Sequence, residues 1–273
     1  MKRLMIFLLF TVMVMGGTNM AHAVIVNYYN GDDHLGDFLT AVGAGAQLNT
    51  PLAFVAAPGS DTSKIFTNIG ATFNNNGGFT LAGMYFPSLG LTVPLFDSRT
   101  DPYYYYWNGS AIATTGNFSQ DAINFSGTPL NLLVVTKTDE IGGSTTSSTS
   151  VYSGVPLGTP FDYWICTGFT TACDQNTFYS NPSLNTGDYV QSLLFPDNIG
   201  GYYLSFEDLQ SGLVASTYTG TPLNGAIGGQ GGFGDLVLQA ESIKGVPEPS
   251  TILLLGVGLI GLGVWGRKWV SVL

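Results

Sequence analysis

The sequence predicts an all-β protein: an antiparallel β-sandwich or jelly-roll-like body with an N-terminal signal peptide before it and a single C-terminal transmembrane helix after it. Three observations predict this. Short β-branched and aromatic runs recur along the chain, broken by Gly, Asn, Pro, Ser and Asp. Glycine is abundant, 37 of 273 residues, and falls mostly at those breaks. The apolar stretches long enough to meet a membrane lie only at the two ends. Strands without intervening helices argue for antiparallel layers rather than a parallel α/β sheet. No internal repeat is visible, which argues against a solenoid or propeller.

The first segment, 1–23, reads as a secretory signal peptide. Lys2 and Arg3 form its positive start, 4–15 is an apolar run of 12 residues, Gly16 and Gly17 break it, and Ala21-His22-Ala23 is a small-x-small cleavage site at Ala21 and Ala23. The mature chain is expected to begin at Val24.

The body, 24–245, is long enough for one large β-domain or two small ones. Strands are predicted at 24–28, 52–57, 79–86, 130–138, 189–195, 202–206, 213–218 and 236–240. The one plausible helix is 35–46, weakened by Gly36, Gly43 and Gly45. Asn74-Asn75-Asn76-Gly77-Gly78 reads as a hairpin turn. Tyr103 to Trp107 is five aromatics in a row. Alternation puts Tyr103, Tyr105 and Trp107 on one face, a candidate glycan-stacking surface; the alternative is a strand buried on both sides. The uncharged 142–150 stretch, GGSTTSSTS, reads as a flexible segment, either a hinge between lobes or, preferred, a long hairpin tip.

Charge and cysteine narrow the chemistry. Seventeen of the 18 acids lie in the exported body against four bases, Lys64, Arg99, Lys137 and Lys244, a net of −13. Without a Lys/Arg cluster, nucleic acid is not an expected partner. Cys166 and Cys173 read as one disulfide closing a small loop. No phosphate-binding G-x-x-x-x-G-K-[ST] loop and no G-x-S-x-G elbow occurs. The mature chain has one histidine, His34, in an acidic turn with Asp32 and Asp33, read as a surface loop rather than a metal contact. The expectation is a protein that is not an enzyme and holds no cofactor. A glycan-acting hydrolase needs only two acids at a set distance, so that alternative stays open.

The last segment, 246–273, has three parts. Pro247 and Pro249 make an extended spacer with Val246 and Glu248. Ser250 or Thr251 caps an apolar helix over 251–266, which at 16 residues spans about 24 Å against a hydrocarbon core of roughly 30 Å. Arg267 and Lys268, in the basic tail 267–273, stop it on the cytoplasmic side. The Val246-Pro247-Glu248-Pro249-Ser250-Thr251 motif, the Gly-rich helix and the Trp-Gly-Arg-Lys ending together resemble a PEP-CTERM sorting signal. That resemblance implies a Gram-negative exported protein, anchored in the inner membrane before an exosortase processes it near Pro-Glu-Pro. It then implies release to the cell surface or an extracellular exopolysaccharide matrix. The 202–209 and 232–238 stretches are similar to a pattern often seen just before such anchors, in bodies of β-sandwich type. Carried over, that pattern places Glu207, Asp208 and Asp235 together, either as structural turn caps or as a Ca²⁺ site, which wants 6–8 oxygens. The function expected is structural or adhesive; the alternative is a carbohydrate-binding module.

Overall fold

A computed structural model describes residues 34–48, 53–57, 64–70 (backbone), 79–126, 129–168, 173, 176–187, 189–207 and 236–246. The described residues form one α-helix, α1 (Leu35–Val42), a short 3₁₀ turn at Pro182–Leu184, and fifteen strands. In chain order these are β1 (Phe54–Ala56), β2 (Lys64–Gly70), β3 (Phe79–Phe86), β4 (Leu91–Asp97), β5 (Tyr105–Trp107), β6 (Ile112–Thr114), β7 (Phe118–Ser126) and β8 (Leu132–Ile141). Then follow β9 (Ser144–Ser153), β10 (Asp162–Gly168), β11 (Asn176–Tyr179), β12 (Ser192–Pro196), β13 (Tyr202–Phe206), β14 (Leu236–Ala240) and β15 (Ile243–Gly245). Two large sheets have the orders β12-β13-β14-β2-β7-β8-β9 and β11-β10-β3-β4; β1-β15 and β5-β6 are two-stranded. Every pairing is antiparallel. The all-β, antiparallel expectation therefore holds for the described residues.

Strand alternation decides what each face does. Ile123 and Phe125 of β7, Leu133 and Val135 of β8, Leu204 and Phe206 of β13, and Leu236 and Leu238 of β14 point one way. They share one buried cluster with Ala82, Met84 and Phe86 of β3, Val93 and Leu95 of β4, and Tyr163 and Ile165 of β10. The core is thus drawn from both large sheets. The opposite face of β12–β14 carries Leu193, Phe195, Tyr203 and Val237, and α1 covers it with Leu35, Phe38 and Leu39. The helix ends sooner than predicted, because Gly43 takes a left-handed φ of 67° and its amide donates back to Thr40.

The 142–150 stretch is neither hinge nor flexible loop. Ser144–Ser153 is a strand paired with β8 over ten residues, from Ile141↔Ser144 to Leu132↔Ser153. The hairpin tip is only Gly142 and Gly143, both at positive φ (59° and 80°), the pattern a two-residue primed turn requires. Nearly every residue of β9 is exposed, so it is held by main-chain pairing and hydroxyl pairs such as Thr138–Ser147, 3.2 Å, rather than by burial. Composition hid it, although Thr is β-branched and suits a strand.

The bridge between Cys166 and Cys173 is formed, with the Cα atoms 5.5 Å apart and a sequence separation of seven. Cys166 is buried in β10, one strand from β11, while Cys173 is exposed. Cys173→Ala is expected to lower stability by about 2 kcal/mol, since short-loop closure contributes roughly that much. Urea titration checks it: reduced wild type and the variant should coincide, and an unchanged midpoint in the variant would rule the staple out.

Candidate functional sites

The aromatic run is positioned by a small hairpin. Asn108 Oδ1 accepts from the amides of Ser110 and Ala111, both at 3.0 Å, which turns the chain so that β5 meets β6. Tyr105 and Trp107 then fall on one face, as alternation requires. That face is turned toward α1: Tyr105 meets Phe38 edge-on at 5.3 Å, and Trp107 stacks on His34 at 3.5 Å. Burial, and secondarily Tyr104, push the Tyr105 hydroxyl up, and burial pushes Tyr203 beneath it up to about 12. Both remain neutral phenols at the helix–sheet junction. Tyr103 is half-buried, and its carbonyl accepts from Thr115 Oγ1 at 2.7 Å. His34 itself sits at φ 55° ahead of α1, with Nδ1 3.0 Å from Asp37.

Glu207 follows β13 and is buried; its amide donates to Gln191 O at 3.1 Å, and Gln191 Nε2 donates to its carbonyl at 3.2 Å. Asp208 and Asp235 lie outside the described residues. Among the described residues no group of three or more His, Cys, Asp or Glu side chains is placed to hold a metal ion. The signal-peptide residues Ala21 and Ala23, the strands predicted at 24–28 and 213–218, the 74–78 turn, Pro247 to Thr251, and Arg267 and Lys268 also lie outside. No helix of the described residues is long and apolar enough to cross a membrane.

A buried polar cluster was not singled out from the sequence. On β7 the inward positions run Ser119, Asp121, Ile123, Phe125, and on β8 they run Leu133, Val135, Lys137, Asp139. The register sets Ser119 opposite Asp139 and Asp121 opposite Lys137. The apolar core therefore gives way to polar groups at one end. Strand β4 closes that end. Past Asp97 the chain turns, with the Asp101 amide donating to Asp97 O at 2.8 Å and the Asp97 amide donating to Asp101 Oδ2 at 2.7 Å. Arg99 is spent on Asp97, through Nε at 2.8 Å and Nη2 at 2.7 Å, and lies over the Phe79 ring. The Arg99 hydrogen bonds hold the Asp97 carboxyl below its ordinary value, against a smaller upward push from burial. Lys137 is left to Asp101, whose carboxylate its Nζ touches. Two of the body's four bases thus meet here. The signal was present in the sequence: both strands continue their period-two alternation from apolar into polar residues.

The tail leaves the body at a fixed point. Strand β15 pairs with β1 through Phe54↔Gly245, and the Val246 amide donates to Ala53 O at 2.8 Å. The ladder thus ends one residue before Pro247. No curated protein and no solved structure matches the chain. Residues 245–268 match the PEP-CTERM protein-sorting motif. The chain thus carries a PEP-CTERM signal, which implies export, a membrane-anchored precursor processed by exosortase, and sorting to the cell surface.

Proposed function

We propose that the body is a two-sheet β-sandwich delivered to the surface or exopolysaccharide matrix of a Gram-negative bacterium, where it has a structural or adhesive role without catalysis. The observation that carries this reading is the sorting motif at 245–268. Supporting it, the motif begins where the β1–β15 ladder ends, so cutting near Pro-Glu-Pro leaves the ladder intact. A body cross-linked by a disulfide suits the oxidising exterior. On this reading the signal peptide is cut after Ala23, and 251–266 holds the precursor in the inner membrane until exosortase acts.

Deletion of Pro247-Glu248-Pro249 is the test. Cells expressing the full chain should release the processed body to the surface and medium. The deletion should hold the protein in the membrane fraction, at least about tenfold depleted outside. Equal distribution of the two forms would defeat the sorting reading. Release of the wild-type form only, with no association with purified exopolysaccharide, would defeat the matrix role alone.

A further inference from the structure

We propose that Lys137 and Asp101 condense into an intramolecular amide bond that joins the two large sheets covalently, with Asp121 moving the protons. The geometry has each part such a reaction needs. The nucleophile and the electrophilic carboxyl are already in contact, Lys137 Nζ against Asp101 Oδ2. Both are withdrawn from water, the Asp101 side chain being 2% exposed and that of Lys137 23%. The carboxyl is held from both sides: Oδ2 accepts the Asp97 amide at 2.7 Å, and Oδ1 accepts the Thr100 hydroxyl at 2.9 Å. The Asp97 amide is placed to stabilise the oxyanion on Oδ2 in a tetrahedral intermediate, and the Thr100 hydroxyl holds Oδ1, the oxygen that departs. Asp121 is fully buried on the neighbouring strand, directly opposite Lys137 and on the same inward face. Directly opposed residues lie about 5 Å apart at Cβ, so Asp121 is the neighbouring carboxyl to which the proton transfers are assigned.

The step balances without an outside reagent. Asp121 takes a proton from the Lys137 ammonium and passes it to the Asp101 carboxylate, leaving a free amine and a carboxylic acid. The amine nitrogen attacks Cγ and forms the C–N bond. Oδ2 stays as the amide carbonyl under the Asp97 amide. Asp121 carries a second proton from nitrogen to Oδ1, the C–Oδ1 bond breaks, and one water leaves. An ammonium and a carboxylate become a neutral amide plus water, and Asp121 ends as it began. Burial opposes the reverse hydrolysis, and the neutral amide removes the desolvation cost of keeping two charges inside. The neighbouring Arg99–Asp97 pair has no comparable path, because a guanidinium is not a nucleophile. The bond would tie the turn after β4 to β8, on opposite sides of the shared core.

The test is the mass of the intact, folded full chain. Wild type should be lighter than its sequence by one water beyond the two hydrogens lost to the disulfide. Digestion at aromatic residues should yield a branched peptide linking the Asp101 segment to the Lys137 segment. Lys137→Arg keeps the charge and should show neither change. Asp121→Ala should condense about a hundredfold more slowly while keeping a wild-type circular dichroism spectrum. Folded wild type that retains the water overturns the proposal, as does a dehydrated Lys137→Arg variant. Dehydration in Asp121→Ala at the wild-type rate removes Asp121 from the mechanism.

Discussion

Phe161→Ala should cost about 3–5 kcal/mol of stability, the range for truncating a fully buried aromatic ring. Phe161 has no exposed surface and stands where three elements meet. Its ring lies 6.2 Å from Phe54 of β1, 5.6 Å from Phe86 of β3 and 5.5 Å from Tyr163 of β10, in stacked, tilted and edge-on arrangements respectively. Its main chain exchanges two hydrogen bonds with Phe54, at 2.7 and 2.9 Å. The ring therefore fastens the β1–β15 ladder, from which the sorting tail departs, to the four-stranded sheet. Removing it leaves a cavity that the surrounding rings, all tied to strands, can collapse into only partly. Urea unfolding of the variant measures the loss. A cost below about 1 kcal/mol would mean that the aromatic cluster is dispensable and that the ladder is held by its backbone bonds alone.

The sequence showed the strands where burial and alternation agreed. Phe79–Phe86, Tyr202–Phe206 and Leu236–Ala240 were predicted with the observed ends, because each is apolar on at least one face and bounded by turn residues. Strand β7, FSQDAINFS, was missed because half of its inward positions are Ser and Asp. Strand β4 contains Pro94, which cannot donate to a ladder; it is tolerated because β4 is an edge strand and the register shifts beside Gly83. That bulge is tight, since a Cβ on Gly83 would meet the Val93 carbonyl oxygen at 2.0 Å. Strand β9 exists through its pairing with β8, and pairing is not written in the composition of one strand.

The sites divided along similar lines. The sorting tail was legible because its information is linear: Pro-Glu-Pro, an apolar run and two bases in order. The disulfide was legible from the cysteine count and spacing. The Lys137–Asp101 contact was not, because it joins the turn after β4 to β8, residues 36 apart in sequence. The aromatic run was legible as a strand but not in its surroundings, since His34 and Phe38, which take up its Trp107 and Tyr105 face, come from α1 and the residue that caps it, more than sixty residues earlier.

Asp162→Asn should stabilise the protein at neutral and alkaline pH and leave it nearly unchanged at pH 4. Asp162 opens β10 opposite Tyr85, is 1% exposed, and its Oδ1 has no hydrogen-bond partner in the structure. Burial pushes its carboxyl up to about 8, from 3.8 for an ordinary aspartate. The folded state therefore keeps this proton between pH 4 and 8 while the unfolded chain has lost it. A group bound more tightly by the native state stabilises it fully below the unfolded value, and the contribution drains away as pH rises through the folded value. Two other carboxyls act oppositely. Arg99 holds Asp97 low. Burial pushes Asp197 up, but hydrogen bonds from Gln239, Ile199 and Gly201 outweigh it and leave the group below its ordinary value. Their contributions are present above pH 4 and are lost on acidification. Wild-type stability should therefore rise from pH 2 to a maximum at about pH 4–5 and then fall toward pH 8, by about 3 kcal/mol once some relaxation around the charge is allowed. The Asn variant should keep the acidic limb and replace the fall with a plateau. Thermal melts of both proteins from pH 2 to 9 decide it: a wild-type curve already flat between pH 4 and 8 would show that Asp162 ionises in the fold as freely as in the open chain.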